Sequence, residues 1–163
     1  MIHMAEDMKM IIGGKFTDAS DSAVKKNINP YTGEIIGTVP EATKNDIDRA
    51  VASALRGQAE WGTLRNDERD SIIERFLSLL QRHSEEIAQL MCRESGKSIS
   101  ECRGELSVVR PIFQAYMKAA ATMYGQTLPG NTESRNKGDI IFTMYEPLGV
   151  CAAVAPFNYP IST

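Results

Sequence analysis

Asn158 is the side chain in this sequence best placed to meet a ligand. It sits in Pro156-Phe157-Asn158-Tyr159-Pro160, directly after the small-apolar run Val150-Cys151-Ala152-Ala153-Val154-Ala155. That run reads as a strand buried on both faces, as inside a parallel sheet. Ligands of open α/β sheets collect just beyond the carboxyl ends of such strands. The Asn158 carboxamide is neutral and donates two hydrogens, and the flanking prolines withhold backbone donors and stiffen the loop. Taken alone, an asparagine here reads more readily as the cap of a following helix.

Cys92, Cys102 and Cys151 are the potential nucleophiles. Three cysteines make no even disulfide framework. Their spacing is not that of a zinc site, and His83 is the only histidine nearby, so no metal is expected. The reading is reduced, mostly buried thiols. Cys151, mid-strand among alanines, is expected to be inert because burial raises a thiol's pKa.

The elements that must position Asn158 follow from local signals. Met10 to Phe16 is a strand interrupted by the Gly13-Gly14 turn. Lys25 to Asn29 and Glu34 to Val39 are strands joined by the tight turn Asn29-Pro30-Tyr31-Thr32-Gly33-Glu34. Four helices follow. Thr43 caps the first, with Asp46 completing a capping-box relative, a stripe of Ile47, Ala50, Val51 and Ala54, and an end at Trp61-Gly62. The second runs from about Asn66 to Arg82, with Ile72, Ile73, Phe76, Leu77 and Leu80 facing inward. The third starts at Ser84 and stops at Gly96. Ser98 to Glu101 is a capping box for a long fourth helix, with a stripe through Leu106, Val109, Ile112, Phe113, Tyr116, Ala120 and Met123 and an end at Gly125. Pro111 inside it predicts a kink or a break. Gln126 to Gly138 is a loop. Asp139 to Glu146 and Val150 to Ala155 are strands, the first an edge strand waiting for a partner.

Composition sets the outer bounds. The 163 residues suffice for one domain with a core. A net charge of −3 gives no basic face for nucleic acid or anionic lipid, and no apolar run reaches the roughly 20 residues a membrane span needs. Residues 1–9 read as a disordered or vector-derived tail without signal-peptide order. A cytoplasmic location is expected. Lys97 and Arg103 read as solvated, Phe113, Tyr116 and Phe157 as core, and His83 as a surface residue near a helix C-terminus.

Read in order, the motifs resemble the N-terminal portion of an NAD(P)-dependent aldehyde dehydrogenase. Asn29-Pro30-Tyr31-Thr32-Gly33-Glu34 is similar to that family's NPxTGE turn, and Ala42 to Val51 to its first helix. Trp61 resembles its characteristic tryptophan and Glu94-Ser95-Gly96-Lys97 its ETGKP segment. Gly104-Glu105 stands where the family has Glu-Val. Glu146-Pro147-Leu148-Gly149-Val150 matches EPxGV, and the Asn158 loop matches PWNFP with Phe157 and Tyr159 exchanged for the commoner aromatics. The PFNYP form is similar to the branch that includes non-phosphorylating glyceraldehyde-3-phosphate dehydrogenases. There an arginine on the long helix helps hold the substrate phosphate; Tyr116 occupies that position here, and Arg110 is nearly two turns away.

The resemblance implies an α/β parent enzyme, of which this chain is mainly helical: four helices, an N-terminal hairpin and two C-terminal strands, an incomplete Rossmann-like domain plus an oligomerisation strand. It divides the chain into a helical part of the nucleotide-binding domain (10–138), a bridging strand (139–149), and a first Rossmann-like strand with the oxyanion loop (150–163). It makes Asn158 the donor to the oxyanion formed when a cysteine thiolate attacks an aldehyde. It offers Tyr116, Phe157 and Tyr159 as substrate-tunnel residues, and Pro156 and Phe157 as loop backbone near the nicotinamide. The implied reaction oxidises a small aliphatic or hydroxylated aldehyde with NAD or NADP, in a homo-oligomer. The family's cysteine, general-base glutamate and glycine-rich turn fall beyond the equivalent of Thr163. The chain itself is therefore expected to be inactive and to bind no nucleotide tightly. The competing reading is a non-catalytic helical interaction module. Exposed strand edges and an uncovered helix face are expected to drive self-association.

Overall fold

In the computed structural model, which describes residues 7–131 and 133–163, Gly13 and Gly14 (φ +61° and +74°) turn Met10–Ile12 (β1) back on Lys15–Thr17 (β2). Val24–Ile28 (β3) pairs antiparallel with Ile35–Pro40 (β4). The connecting turn forms as its residues predict. Asn29 Oδ1 accepts from the Tyr31 amide at 2.9 Å, and the Gly33 amide donates to the Asn29 carbonyl at 2.8 Å. Of the tail expected over 1–9, residues 1–6 lie outside the described residues. The Met8 amide donates to the Thr38 carbonyl at 2.9 Å, which ties 7–9 to β4.

Lys44–Thr63 forms α1, Asn66–Arg82 α2, Ser84–Ser95 α3 and Ile99–Ala120 α4. Thr43 and Ser98 make full capping boxes with Asp46 and Glu101. The Asp46 carboxylate is buried and also bonds the Ser20 amide at 3.0 Å and the Ser20 hydroxyl, so one residue caps α1 and ties it to the loop between β2 and β3. Those Ser20 bonds, with help from Thr43, hold its pKa far below the usual carboxylate range against the cost of desolvation. α3 ends on Gly96 in the left-handed conformation (φ +71°), where any Cβ would also press on Pro30.

The core is the seam of α2, α3 and α4. Leu77, Ala88, Met91, Cys102 and Val109 are buried, with Ile87, Cys92, Ile99 and Leu106 packed beside the α3–α4 part. Two members of the apolar stripe of α1 are uncovered, Ile47 at 55% and Val51 at 45% exposed, as is Leu55 beside them at 55%. No helix among the described residues is long and apolar enough to cross a membrane.

Several local expectations change. α4 runs unbroken through Pro111. The break that Pro111 allows for does not occur; Cys102, Leu106 and Val109 on the same helix pack into the core seam. α4 also stops at Ala120 rather than near Gly125, which lies against the Thr143 carbonyl. The stretch read as a loop contains Thr127–Leu128 (β5), which pairs antiparallel with Ile141–Phe142 (β6). Only those two residues of Asp139 to Glu146 form a ladder. Val150 to Ala155 is irregular and exposed, with Val154 at 93%. A strand buried on both faces needs neighbours on both edges, and among the described residues none lies beside it. Cys151 is consequently exposed, not buried; its Sγ lies 3.8 Å from the Gly149 carbonyl. Cys102 is the buried thiol, and burial, then the neighbouring Cys92, pushes its pKa up.

Candidate functional site

The loop Pro156–Ser162 is held from outside. Among the described residues, it has no backbone–backbone hydrogen bond of its own. Pro156 and Pro160 have no amide to give. The missing partners come from the junction of α3 and α4. Lys97 stands between the left-handed Gly96 and the N-cap Ser98, and its own amide donates to Ser95 Oγ at 3.2 Å. From there its Nζ donates to the Asn158 carbonyl at 2.9 Å and to Glu105 Oε2 at 2.7 Å. The same ammonium lies 4.4 Å from the centre of the Tyr159 ring. The other Glu105 oxygen, Oε1, accepts the amides of Ile161 at 2.9 Å and Ser162 at 3.2 Å.

Glu105 is fully buried at its side chain, and Lys97 is 18% exposed. The expectation that Lys97 is solvated is therefore overturned: it is the cation that makes a buried carboxylate tolerable. Burial pushes the Glu105 carboxyl up, but the Lys97 bond and the two loop amides outweigh it and hold the pKa below the usual glutamate value. The bond to Glu105 raises Lys97 above its ordinary value, against desolvation. Both groups are charged at neutral pH.

The loop presents Asn158 at the surface. Among the described residues its carboxamide makes no hydrogen bond, so its two hydrogens are unspent. Phe157 is 91% exposed and Tyr159 half exposed, while Pro156 is half-buried. Tyr116, 73% exposed, lines a cavity of about 780 Å³ between α2, α4 and residues 161–163, together with Trp61, Arg69 and Phe113. Asn158, Phe157 and Tyr159 are not among its walls. The candidates thus fall into two groups, the Asn158 loop and the Tyr116 cavity, which share the segment Ile161–Ser162.

Arg110 faces elsewhere. It pairs with Glu74 at 2.6 Å and lines a second cavity, of about 520 Å³, with Arg103. Arg103 is exposed as expected, in a two-pronged pair with Glu85 at 2.7 and 2.9 Å.

A dinucleotide needs a pyrophosphate cradle at a free helix N-terminus. The first turns of α1, α2 and α4 are filled by the chain's own Asp46, Glu68 and Glu101 carboxylates, and α3, which has no side-chain cap, carries Glu85 and Glu86 in its first turn. These four helix starts do not fit the phosphates.

Glu105 was legible in principle. It falls on the same face of α4 as the buried Cys102 and Val109, three and four residues away. A carboxylate on an apolar face signals a buried partner.

The pattern of the aldehyde dehydrogenase family matches residues 16–163. Among solved structures, an aldehyde dehydrogenase from Brucella melitensis biovar abortus 2308 is 27% identical, with a TM-score of 0.87 over 99% of this chain and 34% of that one. A succinate-semialdehyde dehydrogenase from Burkholderia pseudomallei is 30% identical, with 0.85 over 94% of this chain and 31% of that one. An NADP-dependent glyceraldehyde-3-phosphate dehydrogenase from Bacillus halodurans C-125, complexed with NADP, is 25% identical, with 0.87 over 96% and 33%. The chain spans about a third of the length of these structures.

Proposed function

Because this chain belongs to the aldehyde dehydrogenase family, we propose that it forms the N-terminal portion of an NAD(P)-dependent dehydrogenase that oxidises small aliphatic or hydroxylated aldehydes to their acids. The supporting observation is the exposed Asn158, its carboxamide unpaired, on a loop pinned by Lys97 and Glu105.

Within that reaction the chain's own task is electrostatic. When a thiolate adds to the aldehyde carbon, the carbonyl oxygen becomes an anion, and a fixed neutral donor stabilises that charge more than it stabilises the ground state. Asn158 supplies the donor. NAD or NADP would accept the hydride in the parent enzyme; among the described residues no helix start offers it a phosphate cradle. Tyr116 and the apolar walls of its cavity suit a small uncharged substrate tail. Residues 1–163 alone carry no dehydrogenase activity in this reading, because the resemblance assigns the nucleophile, the general base and the glycine-rich turn to later parts of the parent enzyme.

The parent acts as a homo-oligomer. Ile140, Phe142, Met144 and Leu148, at 85%, 61%, 70% and 94% exposed, flank a strand with an open edge. Three free thiols fit a reducing, cytoplasmic setting.

The experiment is to express the whole reading frame and follow nicotinamide reduction with a series of small aldehydes and both nucleotides. Aldehyde-dependent reduction is expected, with none from residues 1–163 alone. A whole product that reduces neither nucleotide with any aldehyde overturns the reading. Sedimentation of residues 1–163 should show association that grows with concentration; a monomer at every concentration would contradict the exposed-edge argument.

A further inference from the structure

We infer that Lys97 and Glu105 form a positioning pair that sets where Asn158 stands during turnover, an inference that rests on the reading of Asn158 as the oxyanion donor. Neither side chain reaches the reacting atoms, and both act through the loop. Three backbone groups of that loop end on these two side chains: the Asn158 carbonyl on Lys97 Nζ, and the Ile161 and Ser162 amides on Glu105 Oε1. The links cross 56 to 61 residues of chain. Among the described residues no backbone hydrogen bond within the loop competes with them.

The pair fixes both ends of the asparagine's setting. Lys97 holds the carbonyl of Asn158 itself, so it sets the plane from which the carboxamide projects. Its ammonium also rests against the Tyr159 ring, 4.4 Å away, the residue next in line. Glu105 holds the loop's exit at Ile161 and Ser162. The two are joined to each other at 2.7 Å, and each is carried by a stiff frame, the Gly96–Ser98 junction for Lys97 and the second turn of α4 for Glu105. A buried carboxylate and a half-buried ammonium desolvated together have little freedom to wander. A donor built to act only in the transition state needs that fixity, because small displacements from a productive geometry are expensive in rate.

The test is kinetic and uses the product of the whole reading frame. Lys97→Met alone leaves Glu105 charged and unpaired in the interior, so it is paired with a Lys97→Met, Glu105→Gln double variant, which stays neutral and keeps an oxygen for the two amides. In the double variant kcat should fall about 100-fold while KM stays within about threefold. Lys97→Arg, which keeps the charge, should recover at least about tenfold of that loss. A folded double variant with kcat within about twofold of the unsubstituted enzyme would overturn the inference. A loss that appears only in KM would overturn it as well.

A second measurement holds even if the variants fail to fold. In the unsubstituted protein, the Ile161 and Ser162 amides should exchange with solvent far more slowly than the Val154 amide in the irregular stretch before the loop. Equal, rapid exchange at all three would overturn the anchor. An unsubstituted enzyme without activity would overturn the reading of Asn158 and the positioning role with it, while slow exchange would leave the anchor standing.

Discussion

Lys97 Nζ lies 2.7 Å from Glu105 Oε2, and the two side chains so paired together hold the loop carrying Asn158 against the α3–α4 junction. Lys97 comes just after a helix end and Glu105 within the first two turns of the next helix, so the pair is set by the same local signals that shape the junction. What makes it more than a helix-junction contact is that each partner has a second duty. Each also bonds the loop backbone.

Acid should weaken the fold through carboxylates that the native state holds ionised. Asp46, Glu105 and Glu85 all have depressed pKa values; hydrogen bonds from Arg103, then Gln89, bring Glu85 from 4.5 to about 2. The unfolded chain binds protons first, so their contribution is fully present above the ordinary carboxylate range and is lost as pH falls through it toward the native values. Denaturant titrations from neutral pH to pH about 3 should show a falling midpoint. In Asp46→Asn the protein should be less stable at neutral pH, and the acid loss shallower. A midpoint independent of pH over that range would contradict the assignment.

Burial separates two apolar residues of similar appearance in the sequence. Leu77 is 1% exposed in the helical seam, whereas Phe16 is 77% exposed on β2. Leu77→Ala should cost about 3 kcal/mol in equilibrium unfolding, and Phe16→Ala should change it by no more than about 0.5 kcal/mol. The reverse order would move the core to the N-terminal hairpins.

Gly125 has no room for a side chain. A Cβ there would stand 1.7 Å from the Thr143 carbonyl oxygen, a backbone atom that cannot step aside alone. Gly125→Ala should therefore detach the β5–β6 pair. Faster exchange of the Thr143 amide, which donates to the Gln126 carbonyl at 2.8 Å, would report it. Unchanged exchange there would show that this close approach does not exist in solution.

These residues also mark how far the sequence could be read. The bounds of α2 and α3 and the caps at Thr43, Ser98 and Gly96 are spelled by neighbours within four positions, and all of them form as read. Pro111 is equally local, and of the two outcomes it allows, a kink or a break, the break does not occur. The run Val150 to Ala155 carries a correct composition for a buried strand without the sheet neighbours that would make it one. The loop motif pointed to Asn158 directly, since its prolines are adjacent. It could not point to Lys97 or Glu105, whose partners lie 56 or more residues away, although a carboxylate on the buried face of α4 was a visible sign.

The most direct test of the account is Asn158→Ala in the product of the whole reading frame, measured by steady-state kinetics with an aldehyde the unsubstituted enzyme accepts. If the carboxamide stabilises the developing oxyanion, kcat should fall by about 100- to 1,000-fold, equivalent to roughly 3–4 kcal/mol, in a protein whose unfolding midpoint is unchanged. A variant that turns over at the unsubstituted rate would contradict it.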